Sequence, residues 1–190
     1  SLDVSVNNYL VSIFYKSIKG VNVWGLSFCD ISTGEFKVLE YSNKGKQVPR
    51  EMIIELFRLD PAEIVLPKSL MVEFKELFPQ ISLAPQESHE YYETELMEYL
   101  LKELNISSLK SFGLEELTAG ITASGKLLKY IVDNRKSQLP HIDKLQIYNS
   151  SDHMMLDENT IKNLELIFSI RQENASRTLF VKEHNVPVPR

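Results

Sequence analysis

The hydrophobic pattern changes period along the chain, and the changes mark its elements. From Asn8 to Lys16 the run is rich in β-branched and aromatic residues, as in a strand. Lys19-Gly20-Val21-Asn22 supplies a turn, and Val23 to Asp30 follows as a nearly continuous apolar strand. Ser32-Thr33-Gly34 turns the chain again, and Glu35 to Tyr41 alternates polar and apolar residues as a third strand. Three strands joined by short Gly-containing turns predict an antiparallel meander.

The period then lengthens. Pro49 is compatible with the first turn of a helix carrying Met52, Ile53, Leu56 and Phe57 on one stripe and ending before Asp60-Pro61. Ala62 to Pro67 is a short buried strand, and Lys68-Ser69 opens a helix with Leu70, Phe74, Leu77 and Phe78 inward. Pro79 to Pro85 is a fifth strand bounded by prolines, and Ser88 opens a helix reaching Leu104. A meander followed by alternating strand and helix predicts an α/β domain, a mixed sheet with flanking helices, over residues 1–105. Asn105 to Ser108 reads as the boundary. Beyond it the pattern is all-α. Leu114, Leu117, Ile121, Leu128 and Ile131 mark one face of a long helix, with Ala119, Ala123 and Gly125 small enough for another helix to approach. Gln138-Leu139-Pro140-His141 breaks it, Leu145 to Tyr148 is extended, and Asn149 to Asp152 turns the chain.

The last helix start is marked several times over. Asp157 is an N-cap residue whose charge suits the positive end of the helix dipole. Leu156 and Ile161 are spaced as a hydrophobic staple, and Glu158 precedes Lys162 at i, i+4. Ile161, Leu164, Ile167 and Phe168 form an apolar stripe, and the segment carrying it is expected to pack against the first domain, to self-associate or to be loosely ordered.

Composition narrows the function classes. With 43% hydrophobic and 25% charged residues, the chain reads as an ordinary globular protein. A net charge of -5 argues against autonomous nucleic-acid binding through a basic patch. The lone Cys29, in an apolar run, reads as a buried inert thiol. With no signal peptide and no membrane-length apolar run, the location expected is cytoplasmic, without membrane contact. Ser1 in place of an initiator methionine reads as an excised piece of a longer protein.

Signatures of chemistry are missing. Lys44-Gly45-Lys46 lacks the rest of a Walker A loop, and no Gly-x-Gly-x-x-Gly, His-Glu-x-x-His or Gly-x-Ser-x-Gly occurs. His89, His141, His153 and His184 stand singly. The strand order expected is also that of ribonuclease H-like nucleases, which bind metal through several carboxylates, one on the first strand. Asn8 to Lys16 contains no acid, and Asp30 with Glu35 alone makes a poor two-metal site. Asp30 reads instead as a turn residue bonding the backbone around Ser32-Thr33. A metal-dependent ribonuclease H-like nuclease remains the alternative, and it requires acids clustered around that pair.

Three stretches together resemble the bacterial MutS family of DNA mismatch-repair proteins. Asn7-Asn8-Tyr9-Leu10, Asp30 to Phe36, and Arg58 to Ile64 are similar to its connector domain. Phe112-Gly113-Leu114 with Ala119, Ala123, Gly125, Leu127-Leu128, Tyr130, Gln138, Leu139 and His141 is similar to the first helical part of its core, or lever, domain. Leu156-Asp157 with Thr160, Asn163, Leu164, Glu165 and Leu166, and Arg177-Thr178-Leu179 downstream, matches a Leu-Asp-x-x-Thr-x-x-Asn-Leu-Glu-Leu element.

The resemblance implies a ribonuclease H-like connector over 1–105 without nuclease activity, the start of the core domain over 106–180, and a tail, 181–190, without an assigned role. It implies a non-enzymatic piece coupling mismatch recognition to an ATPase domain and offering a surface to a MutL homologue. Mismatched duplex DNA, ATP and Mg, and the homodimer would belong to the longer protein; no cofactor, metal or catalytic residue is implied here. Asp157, Thr160, Asn163, Leu164 and Glu165 are implied as structural or coupling positions. After Phe180 the family would continue into a Thr-x-x-Met-Gly segment, whereas this chain has two prolines in Val181 to Arg190.

Overall fold

The computed structural model describes residues 8–87, 91–134, 141–142, 144–148 and 156–184, with side chains in the last helix described to Asn174. Two compact units divide at Asp152–His153.

The first unit is built on a sheet. Strands β1 (Tyr9–Ile18), β2 (Val21–Asp30) and β3 (Phe36–Asn43) form the expected antiparallel meander. Lys19 and Gly20, both at positive φ, make the tight turn between β1 and β2. Helix α1 (Arg50–Leu59) leads to β4 (Glu63–Pro67), which pairs parallel to β1. A single 3-10 turn and α2 (Met71–Leu77) lead to β5 (Ser82–Gln86), parallel to β4. Three antiparallel strands flanked by two parallel ones, in the order β5-β4-β1-β2-β3, make a ribonuclease H-like mixed sheet with flanking helices. A two-residue strand, β6 (Gln146–Ile147), extends it beyond β3.

Helices α3 (Glu93–Glu103) and α4 (Ala119–Asn134) cover one face. Leu10, Cys29, Phe36 and Val38 from the strands pack there with Leu100 of α3 and Leu127, Leu128 and Ile131 of α4. The opposite face carries Trp24, Phe28 and Tyr41 toward Glu55 of α1.

Two sequence expectations change. The boundary near 105 does not separate compact units: the first unit runs to Asp152 because α4 lies directly on β1, β2 and β3, and β6 completes the sheet edge. The long helix with Leu114 and Leu117 begins only at Ala119; those leucines follow a 3-10 turn (Leu109–Phe112) and a left-handed Gly113. Ala119 and Gly120 also admit the sheet rather than a helix, while Gly125 admits Leu96 of α3 as foreseen. The second unit contains α5 (Glu158–His184), so Val181 to His184 of the tail are helical and 185–190 lie outside the described residues. No helix among the described residues is long and apolar enough to cross a membrane.

Candidate functional site

Four places in the fold could carry function. The first is the Asp30–Glu35 turn. Asp30 ends β2, and its Oδ1 accepts from Ser32 N at 2.8 Å and Ser32 Oγ at 2.6 Å, the turn bonding expected of it. Partial burial opposes its charge, but the bonds from Ser32 prevail and hold its carboxyl below the ordinary value. Glu35 pairs with Lys37. Cys29 beside them is buried, and burial, with the nearby charges of Asp30 and Glu35, pushes its thiol up to about 12, so it stays protonated and inert. Among the described residues no three His, Cys, Asp or Glu side chains are grouped to hold a metal ion.

The second is a shallow hollow at the carboxyl ends of β4 and β5, too tight to admit a water molecule and lined by Ile13, Phe14, Pro67, Gln86, Glu87 and Lys126. Such strand ends are where open α/β sheets bind ligands. Lys126 reaches it from α4: it is 3% exposed, 5.8 Å from the ring centres of both Phe14 and Tyr91, and 3.4 Å from the Glu87 carbonyl. A lysine packed between aromatic faces under a carbonyl is a stabilised cation. It presents neither a nucleophile nor an acid pair, and Ser12 and Phe14 occupy β1 on the face where a metal-binding acid would have to stand.

The third is the seam between α4 and the sheet. Gly25 of β2 meets the backbone of Ala119 so closely that an added Cβ would lie 2.2 Å from the Ala119 carbonyl oxygen. Glu40 of β3 places Oε2 2.9 Å from Thr118 N and 2.8 Å from Gly120 N, capping α4 from another element. Ser124 Oγ meets Ser27 Oγ at 3.0 Å, and the Tyr130 hydroxyl donates to Glu63 of β4. These contacts make α4 part of the sheet body. The spacing of small residues signalled close packing at Ala119 and Gly125; nothing local in the sequence marks Glu40 as a cap 78 residues from Thr118.

The fourth is the start of α5. Asp157 Oδ1 accepts from Thr160 N at 2.8 Å, and Oδ2 from Thr160 Oγ1 at 2.9 Å, so the N-cap forms as the sequence reads. Of the positions singled out there, Asp157 and Thr160 are brought together. Asn163 and Glu165 are exposed, and Leu164 is buried. The Thr160 backbone amide and hydroxyl lower the Asp157 carboxyl below its ordinary value. A depressed folded value means the cap contributes above the unfolded titration point and is lost as pH falls through the folded one. NMR titration of the Asp157 carboxyl should therefore show a midpoint below 3.8, rising toward it in Thr160→Ala. A wild-type midpoint at or above 3.8 would exclude the cap, and an unchanged midpoint in Thr160→Ala would exclude the hydroxyl bond.

Comparison with known proteins adds a family. The family model described as MutS domain II matches residues 8–143. The DNA mismatch repair protein MutS of Dehalococcoides mccartyi is 34% identical over 169 residues, 88% of this chain and 18% of that protein. The protein of the same name from Halothermothrix orenii is 36% identical over 170 residues, 87% and 18%. That of Desulfosudis oleivorans is 31% identical over 183 residues, 94% and 20%. The chain thus spans about a fifth of the length of the curated relatives it matches. Among solved structures, a fowlpox virus resolvase in complex with Holliday junction DNA aligns with a TM-score of 0.42 and 13% identity, over 65% of this chain and 97% of that one.

Proposed function

Because the chain belongs to the MutS family of DNA mismatch-repair proteins, which it matches through domain II, we propose that it is a non-catalytic connector. In this reading it couples mismatch recognition to an ATPase domain and offers a surface to a MutL homologue. The observation that carries the reading is the extent of the family match, residues 8–143, which takes in β1 to β5 and α4 and ends short of β6. The body is one piece: Gly25, Glu40 and Ser27 hold α4 to the strands, so a displacement of the helix moves the sheet with it.

ATP and Mg chemistry is placed outside these residues. What supports this reading is that Lys44-Gly45-Lys46 lacks the rest of a Walker A loop. Contact with mismatched duplex and homodimer formation are likewise placed in the longer protein. Asp157, Thr160, Asn163, Leu164 and Glu165 are proposed as coupling positions, acting by setting where α5 begins.

The test uses the purified chain. It should hydrolyse no ATP above the buffer rate, show no preference for mismatched over matched duplex, and bind an immobilised MutL homologue saturably. ATP turnover or mismatch preference would overturn the non-catalytic reading, and absence of MutL binding would remove the partner surface from it.

A further inference from the structure

Strand β6 closes the sheet with very little backbone. Gln146 pairs with Lys37 and Ile147 with Val38, and Tyr148 N donates to Val38 O at 3.0 Å. Pairing over two residues has almost no stability of its own. Side chains on both faces supply the hold. Leu145, 1% exposed, enters the core on the α4 face with Phe36 and Val38. Tyr148 turns to the opposite face, its ring edge-on to Phe28 at 5.0 Å and below the Lys37 ammonium at 5.5 Å. Burial, and after it the nearby carboxylate of Glu55 of α1, hold the Tyr148 hydroxyl above the ordinary phenol range, and Glu55 is itself buried and paired with Arg58. Between these anchors Gln146 and Ile147 are exposed, Ile147 by 51%.

We propose that residues 144–148 form a releasable strap, held to the sheet by Leu145 on one face and by the Tyr148 ring against Phe28 on the other, which opens as a unit without unfolding the sheet. The strap deepens the coupling reading and rests on it for its purpose: it would be the point where movement further along the chain enters the connector. Its physical basis is separate. A segment with two backbone pairs and two anchors sits at the low end of local stability. The two anchors lie on opposite faces of one short stretch of backbone, so one cannot leave its place without drawing the other with it, and the segment opens in one step.

Hydrogen exchange read by mass spectrometry on the whole chain tests this, comparing wild type with Tyr148→Phe and Tyr148→Ala. In Tyr148→Ala, which removes the ring from Phe28 and Lys37, exchange at 144–148 should quicken roughly tenfold or more, while β1 residues Leu10–Phe14 keep wild-type protection. Tyr148→Phe, which keeps the ring, should quicken it less. Unchanged exchange at 144–148 in Tyr148→Ala would overturn the strap. Equal acceleration of β1 in that variant would also overturn it, because opening would then be global unfolding. No partner is present in the measurement, so failure here leaves the connector reading intact, and ATP turnover by the chain would remove that reading without touching this one.

Discussion

Replacing Gly25 with alanine is expected to cost about 3 kcal/mol or more, a far larger effect than one methyl group has at an ordinary strand position. The added Cβ would stand 2.2 Å from the Ala119 carbonyl oxygen, 2.3 Å from its carbon and 2.5 Å from Gly120 N. All three are backbone atoms, so no rotamer change relieves the clash. Either α4 backs away from the sheet or β2 bends. Backing away would strain the Glu40 cap and the Ser27–Ser124 contact at once, since both bridge the same seam. For a unit of about 150 residues, a loss of 3 kcal/mol lowers the melting temperature by roughly 6–12 °C. Gly45→Ala is the control: its nearest neighbour is Gln47 N at 4.0 Å, and it should stay within about 0.5 kcal/mol of wild type. Thermal melts of the two variants side by side decide the matter. Equal melting temperatures would mean that α4 does not rest on Gly25 in solution.

How far the sequence could foresee this seam depends on the range of each contact. The meander, α1, β4 and β5 were legible because their signals are local: alternation in Glu35 to Tyr41, the 3.6-residue stripe through Met52 and Leu56, proline at both ends of the fifth strand. The cap at Asp157 was legible for the same reason, since donor and acceptor are three residues apart. The boundary expected near 105 has no counterpart in the compact units, because the loss of strand character there marks the start of the sheet's helical cover and not a change of domain. Helix α4 is part of that cover, held by pairs such as Ser27–Ser124 that are 97 residues apart. Long-range partners leave no local pattern, and Glu40 and Tyr148 therefore went unmarked. At the candidate site, the missing acid on β1 was readable directly. Lys126 in the hollow was not, because a lysine within an apolar helix looks like any solvated one until the aromatic rings around it are placed.

Glu40 gives the second large effect, and its variants separate hydrogen bonding from charge. One carboxylate oxygen accepts from both Thr118 N and Gly120 N, at 2.9 and 2.8 Å, where the helix dipole is positive. Glu40→Ala leaves two half-buried amides without their acceptor and is expected to cost about 2–4 kcal/mol. Glu40→Gln keeps an oxygen at the same reach but loses the charge, and should cost about 1 kcal/mol. Urea unfolding resolves the two through shifted midpoints at constant slope. Equal losses in both variants would assign the effect to charge alone. The shape of the Glu40→Ala transition carries a further consequence. If residues 8–148 are one cooperative body, it unfolds in a single step at lower urea. A two-step transition that wild type, which also carries α5, does not show, with helical signal lost before the tryptophan signal of Trp24 in the buried sheet, would put a stability boundary back near residue 105 and reduce α4 to an attached element.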